Sequence, residues 1–599
     1  MTAEIANLSD LLDRNATDRP NHPALSWFER DVLRTLSWAD YRAKVRLIAE
    51  AYLDLGLGPD DSVAILAPNI PEHFIADLAA LRIGAATVSL YPTLAADQLA
   101  YVLGDAAPKV IVVADVAGHD RVAAALGGDA SATVVVIDAG SAALPPGAKS
   151  WIDLIDRAKA TSEKPDSRWS ERGFEPDSGR VATYVYTSGT TGKPKGVILT
   201  HDNVLYQLDA WERVGLFQAS YEVVSYLPLS HIAERLWSLY FPLQSGGHVM
   251  CCPESSELAR HLSAHRPSFF MGVPRVWQKL REGTRNLLGS PRYRVRADEL
   301  KAAMEVAKEV WTANQDDRTV SPELARRAMD AREGILFDVR KDLGLDRTVT
   351  SASGAAPLSH DVKEFFGSLG IDICQAYGLS ETTGLATWER VGWGSRDSSG
   401  FALPGSEVRI ADDGEIMLRS PGLTPGYRNM PDATEALFVD GWLASGDIGR
   451  LDDAGRLFVT DRKKELIVTS SGKNVAPTSV ESLLVGRDII DQVVVVGDRR
   501  PYLTALMTAS PTNLLRFAKD HGLLEKEVSS LVRHPLVLAH AQNLVDRANE
   551  SLSRPERIKR FELLADQWSY QTGELTPSMK LRRRAITTKY ANTVDGFYC

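Results

Sequence analysis

The chain has 599 residues and a formal net charge of −10, with 44% hydrophobic and 24% charged residues. That length exceeds what one hydrophobic core holds and predicts two or more domains, while the acidic balance argues against nucleic acid as a partner. No apolar run approaches the roughly 18 residues of a membrane span, Met1 to Asp18 lacks a signal-peptide pattern, and Cys251, Cys252, Cys374 and Cys599 have neither disulfide-framework nor metal-ligand spacing, so a cytoplasmic setting follows.

From residue 37 to about 140, helix-like and strand-like segments alternate. Ser37 caps a helix running to Leu55, and Ser62 to Ala67 reads as a strand. His73 to Arg82 reads as a helix, Ala86 to Leu90 as a strand and Ala95 to Leu103 as a helix. Val110 to Val113, Ala123 to Leu126 and Thr133 to Ile137 continue the pattern as strand, helix and strand. Such alternation predicts a mostly parallel sheet with helices on both faces. No G-x-G-x-x-G follows any of these strands, so a dinucleotide site has no support. Residues 140 to 180 read as a polar connector.

The connector leads to Thr187, Ser188, Gly189, Thr190, Thr191, Gly192, Lys193, Pro194, Lys195 and Gly196, between the apolar runs Val181 to Tyr186 and Val197 to Leu199. This is a loop joining two strands. Its glycines bring backbone N–H groups close to a ligand, and its hydroxyls and lysines suit a polyphosphate. It is not a Walker A loop, because Pro194 follows Lys193 where that pattern needs Ser or Thr and a helix.

Further on, Leu227 to Arg235 sets His231 among apolar residues. Trp237, Phe269 and Phe270 fit either the wall of a tunnel or ordinary core packing. Residues 280 to 345 resemble a helical insertion. Leu300, Ala303, Met304, Ala307, Val310 and Trp311 form one stripe, and Ser321-Pro322 starts a second helix carrying Leu324, Ala328, Ala331, Ile335 and Val339. The basic residues Arg292, Arg294, Arg296 and Lys301 fit helical packing first and a weak peripheral membrane contact second. Ser353 to Leu358, with Gly354, Ala355 and Ala356, offers small-residue backbone for a flat ring. Gln375, Ala376, Tyr377, Gly378, Glu381 and Thr382 add an aromatic face, a carboxylate and hydroxyls. Residues 400 to 460 read as a β-rich piece carrying Asp447. A small α+β domain follows Arg462-Lys463-Lys464 and ends in the basic run Lys580 to Arg584.

These blocks, in this order, resemble those of the ATP-dependent adenylate-forming enzymes, and Leu227 to Arg235 resembles a stretch of long-chain acyl-CoA synthetases. The resemblance implies an α/β fold. A large N-terminal domain (1–461) would have mixed and parallel sheets flanked by helices plus the β-rich subdomain. A small mobile α+β C-terminal domain (462–599) would hinge near Lys464. It also implies a phosphate loop at 187–196 and Tyr377 stacked on adenine beside Gly354, Ala355, Ala356, Gln375, Ala376, Gly378 and Thr382. Asp447 and Arg462 would hold ribose, Glu381 and Thr187 would hold Mg²⁺, His231 would lie where acyl group and thiol meet, and Lys580 would be the catalytic lysine. Three departures are visible: Ser445 stands where Thr is usual, Asp461 precedes Arg462 where Gly is usual, and Met579 stands where Gly is frequent. The implied partners are ATP, a fatty acid and coenzyme A, with acyl-CoA, AMP and pyrophosphate as products. A fatty acyl-AMP ligase that loads a carrier protein and an inactive fatty-acid-binding paralogue stay open beside it, as do chain-length preference and oligomeric state.

Overall fold

The computed structural model describes residues 7–128, 131–161, 177–187, 193–215, 221–389, 397–470, 473–576 and 580–599. Ser37 accepts a hydrogen bond from the Asp40 N–H at 3.1 Å, and the Asp40 carboxylate reaches back to Ser37, which starts the helix Trp38–Asp54. The seven-stranded sheet that follows runs Lys149–Ser150, Thr133–Val136, Val110–Val113, Ser62–Leu66, Ala86–Ser89, Val181–Thr187, Lys195–Thr200. Its paired strands are parallel up to Val181–Thr187, which turns back on Lys195–Thr200 as an antiparallel hairpin. Along Ser62–Leu66, Val63 and Ile65 face one apolar core while Ala64 and Leu66 face another, so both faces are covered. The polar connector expected at 140–180 is corrected in part. Trp151–Thr161 is a helix whose Trp151, Leu154 and Ala158 are buried, a spacing of three and four that outweighs the polar composition.

A second sheet joins Phe269–Met271, Thr350–Ser353 and Ile373–Tyr377 in parallel, then Thr387–Trp388 and Phe401–Ala402 antiparallel. Five helices lie between its first two strands, from Pro274–Leu288 to Ile335–Asp342. Leu300, Ala303, Ala307 and Trp311 are buried along one face of Ala297–Gln315. Ser321 caps Pro322–Glu333, accepting from the Leu324 N–H at 3.2 Å. The continuous second stripe is corrected: the helix stops at Gly334, its own residues are at most half-buried, and Ile335 and Val339 belong to the next helix. Trp237 and Phe269 stack at 5.0 Å inside the largest core, and Phe270 meets Trp277 edge-on at 5.1 Å.

The third sheet is antiparallel and contains Glu407–Ile410, Glu415–Arg419, Phe438–Val439, Trp442–Leu451 and Leu457–Arg462. The C-terminal part has its own sheet, Ile490–Val496, Leu503–Ala509 and Ile558–Leu564. With the helices Pro511–Asp520 and Pro535–Glu550 it closes a core that includes Val493, Met507, Leu514 and Ala541. The chain is therefore α/β with mixed sheets and a separate C-terminal domain. Among the described residues, no helix is long and apolar enough to cross a membrane.

Candidate active site

Two sheets bring Tyr377, Asp447 and Arg462 to one corner. Tyr377 ends the strand Ile373–Tyr377, and the antiparallel register of the third sheet sets Asp447 opposite Arg462. The Tyr377 hydroxyl donates to Asp447 Oδ2 at 2.8 Å, and Arg462 Nε lies 2.8 Å from Oδ1. Ser445 accepts from the Asp447 N–H at 3.0 Å, so the hydroxyl fixes the turn that presents the carboxylate. Burial raises the Asp447 pKa, opposed by the charge of Arg462, the Tyr377 hydrogen bond and the charge of Lys580. Burial also pushes the Tyr377 phenol well above its usual range.

Beside this corner the strand Thr350–Ser353 ends at Gly354, which packs on Ala376, and Ala355 and Ala356 lie exposed. Ala355 takes φ +68°, a left-handed conformation that costs a non-glycine residue energy. Gln375 Nε2 donates to the Ala356 carbonyl at 3.2 Å and ties the two segments together.

Glu381 sits in the short helical turn Ser380–Thr382. Thr382 Oγ1 accepts from the Leu379 N–H at 2.9 Å, and Gln207 donates to the Thr382 and Leu385 carbonyls at 2.8 and 2.7 Å. Gly378 is required by close approach, since a Cβ there would lie 2.3 Å from the Gly384 carbonyl oxygen. Tyr427 donates to Glu381 Oε1 at 2.7 Å, and Lys195 Nζ lies 4.5 Å from the centre of the Tyr427 ring. Thr187 pairs with Lys195 across the hairpin, and Lys193 lies over the Tyr101 ring at 5.1 Å. Ser188, Gly189, Thr190, Thr191 and Gly192 lie outside the described residues. Among the described residues, no cluster of three or more His, Cys, Asp or Glu could hold a metal. A single carboxylate such as Glu381 suits an ion that takes most of its ligands from water and phosphate, as Mg²⁺ does.

His231 caps the turn Ile232–Arg235, its Nδ1 accepting from the Ala233 N–H at 3.2 Å. Burial and then the charge of Lys580 push its pKa down to about 4. The two residues behind it anchor that turn. Glu234 accepts from Ser225 and Ser238, both at 2.7 Å. Arg235 is buried against Asp77 at 2.7 and 2.9 Å, with further bonds to Ser89, Thr87 and Tyr240. A five-residue π-helix, Leu236–Tyr240, follows directly, a feature frequent near functional sites.

Lys580 belongs to the C-terminal domain, yet its charge bears on groups of the large one. Crowding by protein lowers its pKa, Arg462 lowers it further, and Asp447, Glu381 and Glu465 pull it back up. The residue is exposed to solvent. Its backbone is held by Thr576, whose Oγ1 accepts from the Lys580 N–H at 3.0 Å and whose N–H donates to the Lys580 carbonyl at 2.8 Å. Lys464 is exposed in the turn Lys463–Glu465. Sequence reasoning missed Tyr427 and Gln207. Each acts on Glu381 or its turn from far along the chain, and only the Gly426-Tyr427 pair after Pro425 hinted at a functional turn.

The sequence pattern of the AMP-binding enzyme family matches residues 12–428, and that of the AMP-binding enzyme C-terminal domain matches 464–599. A Mycobacterium tuberculosis protein named putative fatty-acid–CoA ligase fadD11 is 35% identical over 455 residues, 76% of this chain and 79% of its own. Long-chain-fatty-acid–CoA ligase FadD15 of Mycobacterium bovis is 31% identical over 606 aligned positions, covering 99% of this chain and 97% of its own. Among solved structures, the anthranilate CoA ligase AuaEII in complex with anthranoyl-AMP superposes with a TM-score of 0.74 at 19% identity, covering 98% of each chain, which shows a shared fold.

Proposed function

The chain belongs to the AMP-binding enzyme family, and on that premise we propose that it is an ATP-dependent acid–thiol ligase that makes long-chain acyl-CoA through an acyl-adenylate. The observation that supports the reading best is the corner where Tyr377 donates to Asp447 at 2.8 Å and Arg462 lies 2.8 Å from the same carboxylate, in a chain that aligns over 99% of its length with a long-chain-fatty-acid–CoA ligase.

The chemistry divides into two displacements. A carboxylate oxygen attacks the α-phosphorus of ATP, the bond to pyrophosphate breaks, and the acyl group is left on AMP. The sulfur of coenzyme A then attacks the acyl carbon, the bond to AMP breaks, AMP leaves with the electron pair, and the thiol proton passes to solvent. The first step gathers negative charge, so fixed cations and N–H donors serve it better than a nucleophile does. In this reading Tyr377, Gly354, Ala355, Ala356, Gln375, Ala376, Gly378 and Thr382 bind adenine and its surroundings. Asp447 and Arg462 orient the ribose, and Thr187 to Lys195 wrap the phosphates. Lys580 bridges the carboxylate and the α-phosphate. Glu381 and Thr187 would hold Mg²⁺, which when bound neutralises phosphate charge. His231, neutral with its pKa near 4 and its Nδ1 engaged by the Ala233 N–H, can donate a hydrogen bond from Nε2 at the acyl end without presenting a charge to an apolar chain.

The test is product identification by mass spectrometry with ATP, Mg²⁺, coenzyme A and a ladder of fatty acids. Acyl-CoA with AMP and pyrophosphate is the expected result. Acyl-AMP without any thioester would move the acceptor to a carrier protein, and absence of fatty-acid-dependent pyrophosphate exchange would mean a binding protein.

A further inference from the structure

The helix Pro274–Leu288 of the large domain faces the C-terminal domain with residues spaced three apart: Arg275, Gln278 and Arg281. Arg275 grips Asp491 with both terminal nitrogens, Nη2 lying 2.8 Å from Oδ2 and Nη1 bonding Oδ1. Asp491 is 5% exposed. Arg281 Nη2 donates to the Gly486 carbonyl, and Gln278 packs on Gly486, where a Cβ would lie 3.2 Å from its amide carbon. Gly486 has φ +68°, and its N–H donates to the Asp491 carbonyl at 3.0 Å, so 486–491 is a closed loop held by its own bond. An exposed pair, Arg487 with Asp361 at 3.3 Å, borders the contact.

We propose that Arg275 and Asp491 are a latch between the two domains, and that it holds the C-terminal domain where Lys580 reaches the adenylation crevice. The proposal rests on the ligase reading for its catalytic meaning and on the contact itself for its mechanical one. A bidentate guanidinium–carboxylate pair fixes orientation as well as distance, which a lysine or an apolar contact would not. The latch is also built to open. Arg281 is buried, with its Nε lacking a partner and its pKa lowered by burial, so hydration on separation favours release. Asp491 and Arg275 likewise regain water when the domains part, so the pair selects one arrangement without locking it. Arg275, Arg281 and Asp491 are positioning residues: among the described residues they act on Lys580 only through where its domain sits.

The experiment separates geometry from catalysis. With Cys599→Ser removing the one exposed thiol among the described residues, spin labels at the exposed Val295 and Leu524 report the separation of the two domains. D491N is expected to broaden the distance distribution of the otherwise unchanged chain; an unaltered distribution overturns the latch. In the enzyme, D491N is expected to lower fatty-acid-dependent pyrophosphate exchange about tenfold. Conversion of supplied acyl-AMP and coenzyme A should stay within about twofold, a smaller change than one lost hydrogen bond to a charge would give. The charge-swapped pair R275D with D491R should restore exchange. Equal losses in both half-reactions, or no restoration by the swap, would mean general damage and overturn the proposal. If the unmodified protein shows no fatty-acid-dependent pyrophosphate exchange, the ligase reading fails, and the label distances still decide the latch.

Discussion

Lys580→Ala should damage one half of the reaction and spare the other. The Lys580 fold contacts run through its backbone to Thr576, while its ammonium acts through space on Arg462, Asp447, Glu381 and Glu465. Truncation therefore removes a charge without removing a support. Lys580 is exposed, so an effective dielectric near 20 applies, and two unit charges about 4 Å apart interact by about 4 kcal/mol. That agrees with the roughly 10²–10³ in rate, about 2.7–4 kcal/mol, lost when one preorganised donor is removed. Arg462 cannot compensate, because its guanidinium is committed to Asp447 at 2.8 Å. Acyl-AMP formation, read as fatty-acid-dependent exchange of labelled pyrophosphate into ATP, should fall by that factor. Presynthesised acyl-AMP with coenzyme A should still give thioester. The lowered pKa adds a pH signature: the cation is complete only below it, so adenylation should decline with rising pH before an ordinary lysine would deprotonate, and the variant should lose that limb. Equal losses in the two half-reactions, or an unchanged alkaline limb, would refute the assignment.

Glu381→Gln keeps shape and removes charge, so the Mg²⁺ concentration for half-maximal adenylation should rise several-fold; an unchanged Mg²⁺ dependence would take Glu381 out of the metal site. Arg235→Met strands the buried Asp77 carboxylate and should cost about 3–5 kcal/mol in denaturant unfolding; the Arg235→Met/Asp77→Leu double variant should recover most of that, and failure to recover would mean the network is not the cause. His73 is buried, with burial holding its pKa down to about 4 from an ordinary 6.5, so the unfolded chain binds its proton first as pH falls. The stability it contributes is complete above about 6.5 and is lost progressively toward about 4. The urea midpoint should fall between pH 7 and 5, less steeply in His73→Gln; parallel slopes would refute the role of His73.

Much of this was legible because it is local. Ser37 with Asp40, Ser321 with Leu324, and the hairpin around Lys195 are each set by residues within a few positions of one another. Gln375 to Thr382 is one continuous block, so its chemistry shows in the sequence. The connector at 140–180 hid a helix because Trp151, Leu154 and Ala158 are sparse apolar positions in polar surroundings. Tyr427 stands 46 residues from the Glu381 it orients, and Asp491 stands 216 from Arg275. No periodicity links such partners; only the packing of separate sheets and domains does. Glu234 and Arg235 looked like marks of kinship in the sequence, and the fold gives them work as the buried supports of the His231 turn.

The proposed hinge at Lys464 also acquires a physical reason. Arg462 is fixed to the large domain by strand pairing and by Asp447. Lys463 belongs to the same side, since its ammonium lies 2.6 Å from both Asp413 and Glu415. Glu465 belongs to the other side: it accepts from Arg583, which also binds Glu481 and sits three residues beyond Lys580. Lys464 thus lies between side chains committed to opposite sides, although Asp461 before it already accepts from the Thr478 N–H at 2.8 Å and the Thr478 hydroxyl at 3.0 Å across the boundary. A rotation centred there breaks no hydrogen bond of the third sheet and carries Glu465, Arg583 and Lys580 together as one unit. It must, however, separate Asp461 from Thr478 and Arg275 from Asp491. In the proposed arrangement the turn lets the domain move, and the Asp461–Thr478 contact beside it, together with the bidentate Arg275–Asp491 pair, decides where it stops.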